Sequence, residues 1–559
     1  MNFPKTSIKV IARQQHMGTR NVNSLNEFVK SQVKEVEEWW KQDRFQRIKR
    51  SYSALDVVKH RGSLGLEDTK YPSSFQAKKL YNLLENKFLA RQPVHTLGII
   101  DPVQMTQLAK CEGIPVAYVS GWACSSTNVS STNEVAPDFG DYPYDTVPNQ
   151  VERMFKAQKL HDRKSFLDAV NSGSPLYNYM KPIIADADMG HGGPTAVMKL
   201  AKLFAEKGAA AVHIEDQLMG GKRCGHLGGI VLAPVSTHVT RLIATRLQWD
   251  IMGTENLIIA RTDACNSRLI GSSSDPRDHQ YIKGTIGSNV TAWVDSLTEM
   301  KSKSIDYKGV SEAEAQWYET HELFTYDEAV ERQISAEEYN KYQGLKSKQM
   351  EATKKRWLSL REMRSIAKEA SPKKTVIFDW DAPRTNDGYY MFKGCMEAAI
   401  ERSLIFAPYA DMIWLETKTP NLEEAKEFSR KIHSFCPHIK LVYNLSPSFN
   451  WCAYGFSADN LKGFIWDLAK EGFVLQLISL AGVHVNGVNF WELAKGFEHD
   501  GMLAYVDQVQ KRKNTNCDLL THQRWSGVEY VDSILSLVQN GATSHTRSTG
   551  GDSFTEVQF

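Results

Sequence analysis

Acidic residues stand at the ends of several short apolar runs. Asp186 and Asp188 follow one run, Glu215 follows the next, and Glu416 follows a later one. Like charges held close together are unfavourable unless a cation compensates them. Because no cluster of histidines or thiols matches these acids, they favour a hard, oxygen-ligated ion such as Mg²⁺. The alternative is that each acid caps a helix or pairs with an arginine.

A cysteine stands among cations and glycines in the segment Gly220-Gly221-Lys222-Arg223-Cys224-Gly225-His226. Nearby cations favour the thiolate, so the sequence predicts a lowered pKa for Cys224. Flanking glycines predict a mobile loop that closes over a substrate. Such a thiol suits proton donation to a carbanion or nucleophilic attack. The alternative is a buried, inert cysteine.

Small polar residues and one arginine follow other apolar runs. They are Ser120, Gly121, Trp122, Arg261, Asn444, Ser446 and Ser448. Alternating short donors suit a carboxylate, a glycine lets backbone amides approach a ligand, and an arginine can bind a carboxylate through two hydrogen bonds. Each alone is typical of a turn or an ion pair, but together they predict an anion-binding site.

Eight apolar runs alternate with helical patterns, and this alternation predicts a parallel sheet. The runs are 96–100, 116–119, 182–185, 211–214, 257–260, 412–415, 441–443 and 474–478. Eight is the number of strands that closes a TIM-type (β/α)₈ barrel. Since the carboxyl ends of barrel strands meet at one mouth, we expect the polar residues above to converge there.

Composition divides the chain into six segments. The fifth and sixth apolar runs are separated by a long stretch rich in Glu, Lys, Gln and Tyr, which predicts a helical insertion. The expected segments are a presequence (1–26), N-terminal helices (27–90), a first barrel part (91–274), the insertion (275–370), a second barrel part (371–485) and C-terminal helices (486–559). The last helices would pack outside the barrel or exchange with a neighbouring subunit.

The overall composition excludes several classes of protein. The 559 residues carry 67 basic and 65 acidic side chains, a net charge of +2 that does not favour nucleic acid or anionic membrane. No apolar stretch is long enough for a membrane helix. The eight cysteines form no C-x-x-C pair, which is typical of reduced thiols. Residues 1–26 hold no acid, which predicts targeting to the mitochondrial matrix; the alternative is a disordered basic tail.

Taken together, these motifs resemble those of the isocitrate lyase family, whose signature reads Lys-Lys/Arg-Cys-Gly-His. The likeness extends from about residue 37 to the end of the chain. The matching segments are 120–122, 186–193, 222–226, 414–420 and 444–451. The resemblance implies a Mg²⁺-dependent carbon–carbon lyase that acts on a small tricarboxylate and assembles as a homotetramer.

The resemblance also implies a role for each site residue. Asp186 would bind Mg²⁺ directly, Cys224 would protonate the succinate-forming carbanion, and Tyr118 would take the proton of the substrate hydroxyl. The acids that would hold ion-bound waters are Asp138, Asp188 and Glu215. The substrate cradle would be Ser120, Gly121, Trp122, Gly225, Arg261, Asn444, Ser446 and Ser448. The residues around the metal and the thiol would be Lys222, His226 and Glu416.

Two departures from the family pattern bear on the substrate. Members that act on isocitrate have Phe and Thr where this chain has Leu477 and Ser479, and Lys where it has Arg223. Leu477 and Ser479 remove volume near the reacting carbon, as 2-methylisocitrate requires. The prediction is therefore 2-methylisocitrate lyase, which splits its substrate into pyruvate and succinate in the methylcitrate cycle of propionate breakdown.

Three alternatives stay open at this point. An isocitrate lyase would release glyoxylate instead of pyruvate. A hydrolase or mutase of the same superfamily would act on oxaloacetate or phosphoenolpyruvate. A catalytically inactive barrel would serve only as a binding protein.

Overall fold

The computed structural model describes residues 22–515 and 517–549. Eleven strands lie in these ranges, and we number them in chain order. They are β1 (Val94–Leu97), β2 (Ala117–Val119), β3 (Ile183–Asp186), β4 (Ala209–Glu215), β5 (Val231–Leu232), β6 (Leu257–Thr262), β7 (Leu269–Ile270), β8 (Tyr390–Met391), β9 (Met412–Leu415), β10 (Lys440–Asn444) and β11 (Leu475–Ile478).

Eight of these strands form one parallel sheet in the order β1-β11-β10-β9-β6-β4-β3-β2. A parallel bridge between Gly98 and Tyr118 joins the two ends of the sheet and closes the barrel. Each of the eight apolar runs becomes one barrel strand. The predicted TIM-type α/β fold is therefore confirmed.

The barrel strands are apolar on both faces because each face is covered. A helix at Pro72–Leu89 places Ala77, Leu80 and Leu84 against the residues that fill the barrel, which include Tyr118 and Trp414. The outer faces of the strands pack against the surrounding helices in a second, larger core. Burial of this apolar area is the main force that holds the barrel together.

Helices surround and decorate the barrel. In the described residues they are Val22–Trp40, Ala54–Arg61, Pro72–Leu89, Pro102–Lys110, Gly121–Thr127, Thr146–Ser172, Pro194–Lys207, Val235–Met252, Trp293–Ser302, Tyr307–Thr320, Tyr326–Gln333, Ala336–Thr353, Leu360–Ala370, Met396–Phe406, Leu422–Phe435, Ala458–Lys470, Ala481–Asp500, Met502–Gln508, His522–Ser526 and Val528–Val538. Several begin with capping boxes that satisfy the first free N–H groups, for example at Ser335 and Ser359.

Five helices lie between β7 and β8, from Trp293 to Ala370. They have apolar cores of their own, separate from those of the barrel, around Tyr326 and Met363 in one cluster and Trp293 and Trp317 in another. The short strands β5, β7 and β8 form a small sheet where the chain enters and leaves this region. This sheet connects the helical region to the loops that follow β4 and β6.

The helix after the last barrel strand differs from the others. Of the twenty residues in Ala481–Asp500, only Gly482 is buried. Large apolar side chains on this helix and the next are exposed, including Phe490, Trp491 and Met502. The turn between β11 and this helix is therefore not held by a helix packed on the barrel. Separately, none of the described helices has the length and apolar character needed to cross a membrane.

Candidate active site

A polar cavity lies at the carboxyl ends of the barrel strands. Its lining comprises Tyr118, Ser120, Trp122, Asp138, Asp186, Glu215, Lys222, Arg223, Cys224, Gly225, His226, Arg261, Trp414, Glu416, Asn444, Ser446, Pro447, Ser448, Ser479 and Leu480. Residues from distant parts of the chain thus meet at the predicted mouth.

Asp186 is held by the backbone around it. The N–H of Gly121 donates to its Oδ2 at 2.9 Å, and the N–H of Asp188 donates to its Oδ1 at 2.9 Å. A Cβ on Gly121 would lie 2.7 Å from the Tyr142 hydroxyl oxygen and 3.0 Å from Asp186 Oδ2, so a larger residue there would displace one of these side chains. Burial, together with the charge of Asp188, raises the pKa of Asp186 to about 6. A buried carboxylate beside a like charge favours a nearby cation.

Lys222 supplies a positive charge within the acidic cluster. Its Nζ contacts Asp138 and lies 2.6 Å from Asp188 Oδ1 and 4.0 Å from Glu215 Oε1. Although burial opposes it, the charges of Asp188 and Asp138 raise the pKa of Lys222. Burial also works against ionisation of Asp188, yet Lys222 and His191 bring the pKa of that carboxyl below its usual value.

Asp186, His213 and Glu215 form a group that could hold a metal ion, with one ligand atom from each within 4.8 Å of the others. Among the described residues, the buried Oε1 of Glu215 has no hydrogen-bond partner. Burial raises the pKa of Glu215 well above its ordinary value. A buried carboxylate oxygen that accepts no hydrogen bond and lies beside other ligand atoms fits a divalent cation.

His213 was missed by the sequence analysis. It stands two residues before Glu215 on β4, so the two side chains point to the same side of the strand. Its Nε2 lies 2.8 Å from the Tyr118 hydroxyl and 3.3 Å from Asp186 Oδ1. Burial lowers the pKa of His213 and raises that of Tyr118, so both side chains are neutral.

The expected pKa of Cys224 was wrong in direction. Burial raises the pKa of this thiol, although Arg261 and the backbone of His226 oppose the shift. The neighbouring cations do not face the sulfur. Lys222 turns to the acidic cluster, and the guanidinium of Arg223 lies 4.6 Å from the centre of the Phe139 ring. Cys224 is therefore a protonated thiol, suited to donate a proton.

This protonation state predicts the alkylation behaviour of Cys224. Iodoacetamide reacts with thiolates, so labelling of Cys224 should be slow at neutral pH and accelerate only above about 8.5, the ordinary thiol pKa. Peptide mass spectrometry after timed labelling measures this rate. Labelling of the exposed Cys111 in the same digest shows that the reagent is active. Rapid labelling of Cys224 that levels off below pH 7 would contradict a raised pKa.

Arg261 is enclosed by three carboxylates. Its guanidinium lies 3.0 Å from Asp263, 3.4 Å from Glu215 and 3.8 Å from Glu416. The same group lies 5.1 Å from the centre of the Trp414 ring. These contacts fix the planar guanidinium at the cavity wall.

A second part of the cavity wall, which adjoins Arg261 through Glu416, comes from the ends of β9 and β10 and from the loop 220–226. Asn444 donates to Glu416 Oε1 at 3.1 Å, and His226 Nε2 lies 3.5 Å from the same oxygen. Ser446 Oγ lies 3.5 Å from His226 Nδ1 and accepts the N–H of Ser448 at 3.1 Å. Hydroxyl, amide and imidazole groups therefore line this part of the cavity.

Most of the predicted site residues line the cavity, and three do not. Gly121 and Asp188 lie just behind it and support Asp186. Leu477 is buried inside the barrel, in the core that contains Tyr118 and Trp414, and is absent from the cavity lining. Ser479 does line the cavity. Besides His213, the sequence analysis assigned no site role to three lining residues: Trp414, Pro447 and Leu480.

The mouth of the parallel eight-stranded barrel brings together clustered acids, a buried lysine, a protonated thiol and anion-binding donors. This arrangement defines an acid–base enzyme for small polycarboxylates. The model of the isocitrate lyase family matches residues 32–559, nearly the whole chain. The chain belongs to the isocitrate lyase family, a family of carbon–carbon lyases. The family expected from the motifs is confirmed.

Named relatives align along almost the full length. A mitochondrial 2-methylisocitrate lyase of Saccharomyces cerevisiae is 65% identical, with 96% of this chain and 94% of that protein covered. A mitochondrial 2-methylisocitrate lyase of Hypocrea atroviridis is 51% identical, with 95% and 94% covered. An isocitrate lyase of Saccharomyces cerevisiae is 39% identical, with 96% and 98% covered.

Proposed function

We propose that this chain is a 2-methylisocitrate lyase that produces pyruvate and succinate. The observation that carries the proposal is that a protonated thiol, an acidic cluster and several anion-binding donors line one cavity. Identity supports the choice of substrate, since the relatives named 2-methylisocitrate lyase reach 65% and 51%, whereas an isocitrate lyase reaches 39%.

Mg²⁺ is the proposed ion, held by Asp186, with Glu215, Asp138 and Asp188 around it. His213 is the one nitrogen ligand in the candidate group of Asp186, His213 and Glu215, and its Nε2 also lies 2.8 Å from the Tyr118 hydroxyl. The predominance of carboxylate oxygens favours a hard cation over zinc. When bound, such an ion makes the substrate hydroxyl more acidic and stabilises the carbonyl that develops there.

Tyr118 and His213 would move the first proton. A neutral tyrosine with a raised pKa is a weak base by itself. The Tyr118 oxygen can nevertheless accept the proton of the substrate hydroxyl while its own proton passes to His213 Nε2, which lies 2.8 Å away. The alkoxide then collapses to a carbonyl as the carbon–carbon bond breaks, and the electron pair remains on the succinate fragment.

Cys224 would move the second proton. The succinate carbanion is delocalised into its adjacent carboxylate, and protonation at carbon completes the reaction. A thiol that burial keeps protonated holds this proton until the carbanion forms. The substrate carboxylates would be held by Arg261, Asn444, Ser446 and Ser448.

A competition assay tests the proposed substrate. Purified protein is incubated with Mg²⁺ and equal concentrations of 2-methylisocitrate and isocitrate, and pyruvate and glyoxylate are quantified together. We expect pyruvate in excess, because one methyl group in a fitted pocket changes selectivity by about 10- to 200-fold. An excess of glyoxylate would show that the chain is an isocitrate lyase.

The double variant Leu477→Phe, Ser479→Thr should shift this preference towards isocitrate. The methyl group of threonine at residue 479 enters the cavity. The ring of phenylalanine at residue 477, which is larger than the leucine side chain, presses on the core inside the barrel. The expected result is at least about a tenfold fall in the pyruvate-to-glyoxylate ratio. Ser479→Thr alone separates the two positions, and an unchanged ratio in the double variant would remove both residues from substrate selection.

Location and assembly are also proposed. The relatives with the highest identity above are named mitochondrial, and we propose the mitochondrial matrix with a presequence at 1–26, which lies almost wholly outside the described residues. We propose a homotetramer and the six-segment division of the chain. Exposed apolar side chains on Ala481–Asp500 and Met502–Gln508 support assembly, because a contiguous apolar surface is typical of an interface.

A further inference from the structure

The turn from β11 to the helix at Ala481–Asp500 forms one side of the cavity. Ser479 and Leu480 lie on it, and both line the cavity. In a barrel, the helix after each strand normally packs on the sheet and fixes the turn before it. Within one chain only Gly482 of that helix is buried, so other contacts of the same chain hold the turn there.

Hydrogen bonds to the end of β1 hold this turn. Gly98 donates its N–H to the Ile478 carbonyl at 2.8 Å and accepts the N–H of Gly482 at 2.9 Å. Gln104 adds a side-chain link, because its Nε2 donates to the Gly482 carbonyl at 3.0 Å while its Oε1 accepts the N–H of Ile100 at 3.0 Å. The Gln104 side chain thus bridges the end of β1 and the start of the exposed helix.

The backbones of β1 and the turn approach closely. A Cβ on Gly98 would lie 1.9 Å from the Ser479 carbonyl oxygen, and a Cβ on Gly482 would lie 2.1 Å from Gln104 Oε1. Both positions therefore require glycine, and the two segments cannot slide past each other freely. The position of Ser479 relative to the cavity follows from this contact.

We propose that Gln104 is a specificity-positioning residue: through its hydrogen bond to Gly482 it sets where Ser479 and Leu480 stand against the substrate. The inference rests on the proposed function and adds to it a residue outside the cavity lining. A wall that is held in place can distinguish substrates that differ by one methyl group, whereas a loosened wall accepts both.

The test is the competition assay with two variants of Gln104. Gln104→Leu removes both hydrogen bonds. Gln104→Glu keeps nearly the same shape and the acceptor for Ile100, but an ionised carboxylate cannot donate to Gly482. In both variants the pyruvate-to-glyoxylate ratio should fall by about threefold or more, which is part of the discrimination that one methyl provides. Because both products come from one sample, the ratio does not depend on the fraction of active enzyme.

Gln107→Leu is the matched control. Gln107 lies one turn further along the same helix and donates to Asp518 at 2.9 Å, away from the cavity. Its variant should keep the wild-type ratio. The inference alone would be overturned if both Gln104 variants kept the wild-type ratio or if both failed to fold. An equal change of the ratio in the control would also overturn it. Wild-type protein that releases neither product would overturn the proposed function and the inference with it.

Discussion

Replacing Cys224 by serine should reduce kcat for 2-methylisocitrate by about 10²- to 10⁴-fold, the range typical of one general acid. Serine is close to cysteine in size, but its hydroxyl is a far weaker acid than the thiol. The carbanion would then lack its proton donor. Substrate binding should change little, since Arg261, Ser446 and Ser448 remain. Steady-state kinetics measures kcat, and calorimetry with the variant measures binding.

Cys111→Ser is the control for this variant. Cys111 is exposed and lies outside the cavity, so its replacement should leave kcat unchanged. Near-normal turnover of Cys224→Ser would remove the thiol from the mechanism. Loss of substrate binding in that variant would assign Cys224 to binding instead of proton transfer.

Asp186→Asn should abolish turnover and weaken Mg²⁺ binding by more than about 100-fold. Replacing even an indirect partner of a metal ligand costs about 10- to 100-fold in affinity, and Asp186 is the proposed direct ligand. The variant keeps the size of the side chain and one acceptor oxygen, which can accept the N–H of Gly121 or of Asp188 but not both. Calorimetric titration with Mg²⁺ in the absence of substrate measures the affinity independently of activity.

Asp141→Asn is the matched control for the metal experiment. Asp141 is an exposed acid close to Asp138 in sequence and does not line the cavity. Its variant should bind Mg²⁺ as the wild type does. Wild-type Mg²⁺ affinity in Asp186→Asn would show that the ion, if bound, lies elsewhere.

The barrel could be predicted because its signals are local. Each strand is a short apolar run, and both of its faces are buried, so the run appears in the sequence without any knowledge of the fold. The site acids could be predicted for a related reason. Asp186, Glu215 and Glu416 directly follow such runs, and a parallel barrel brings all strand ends to one mouth.

The missed features depend on side-chain direction. His213 lies within an apolar strand, and only its two-residue spacing from Glu215 indicates that it faces the same side as that acid. The pKa of Cys224 was predicted from charges adjacent in sequence. Lys222, however, contacts Asp138, which is 84 positions away in the sequence. Burial is therefore the largest influence on the pKa of the Cys224 thiol. Leu477 lies in the barrel interior, a position that its sequence neighbours do not reveal.

The most direct test of the account is cleavage of 2-methylisocitrate by the wild-type protein in D₂O with Mg²⁺, followed by NMR and mass spectrometry of the products. The account predicts equal amounts of pyruvate and succinate. It also predicts one deuterium per succinate, delivered by the exchanged thiol of Cys224, and none in pyruvate. Absence of pyruvate, or succinate without deuterium, would contradict a retro-aldol cleavage completed by protonation at carbon.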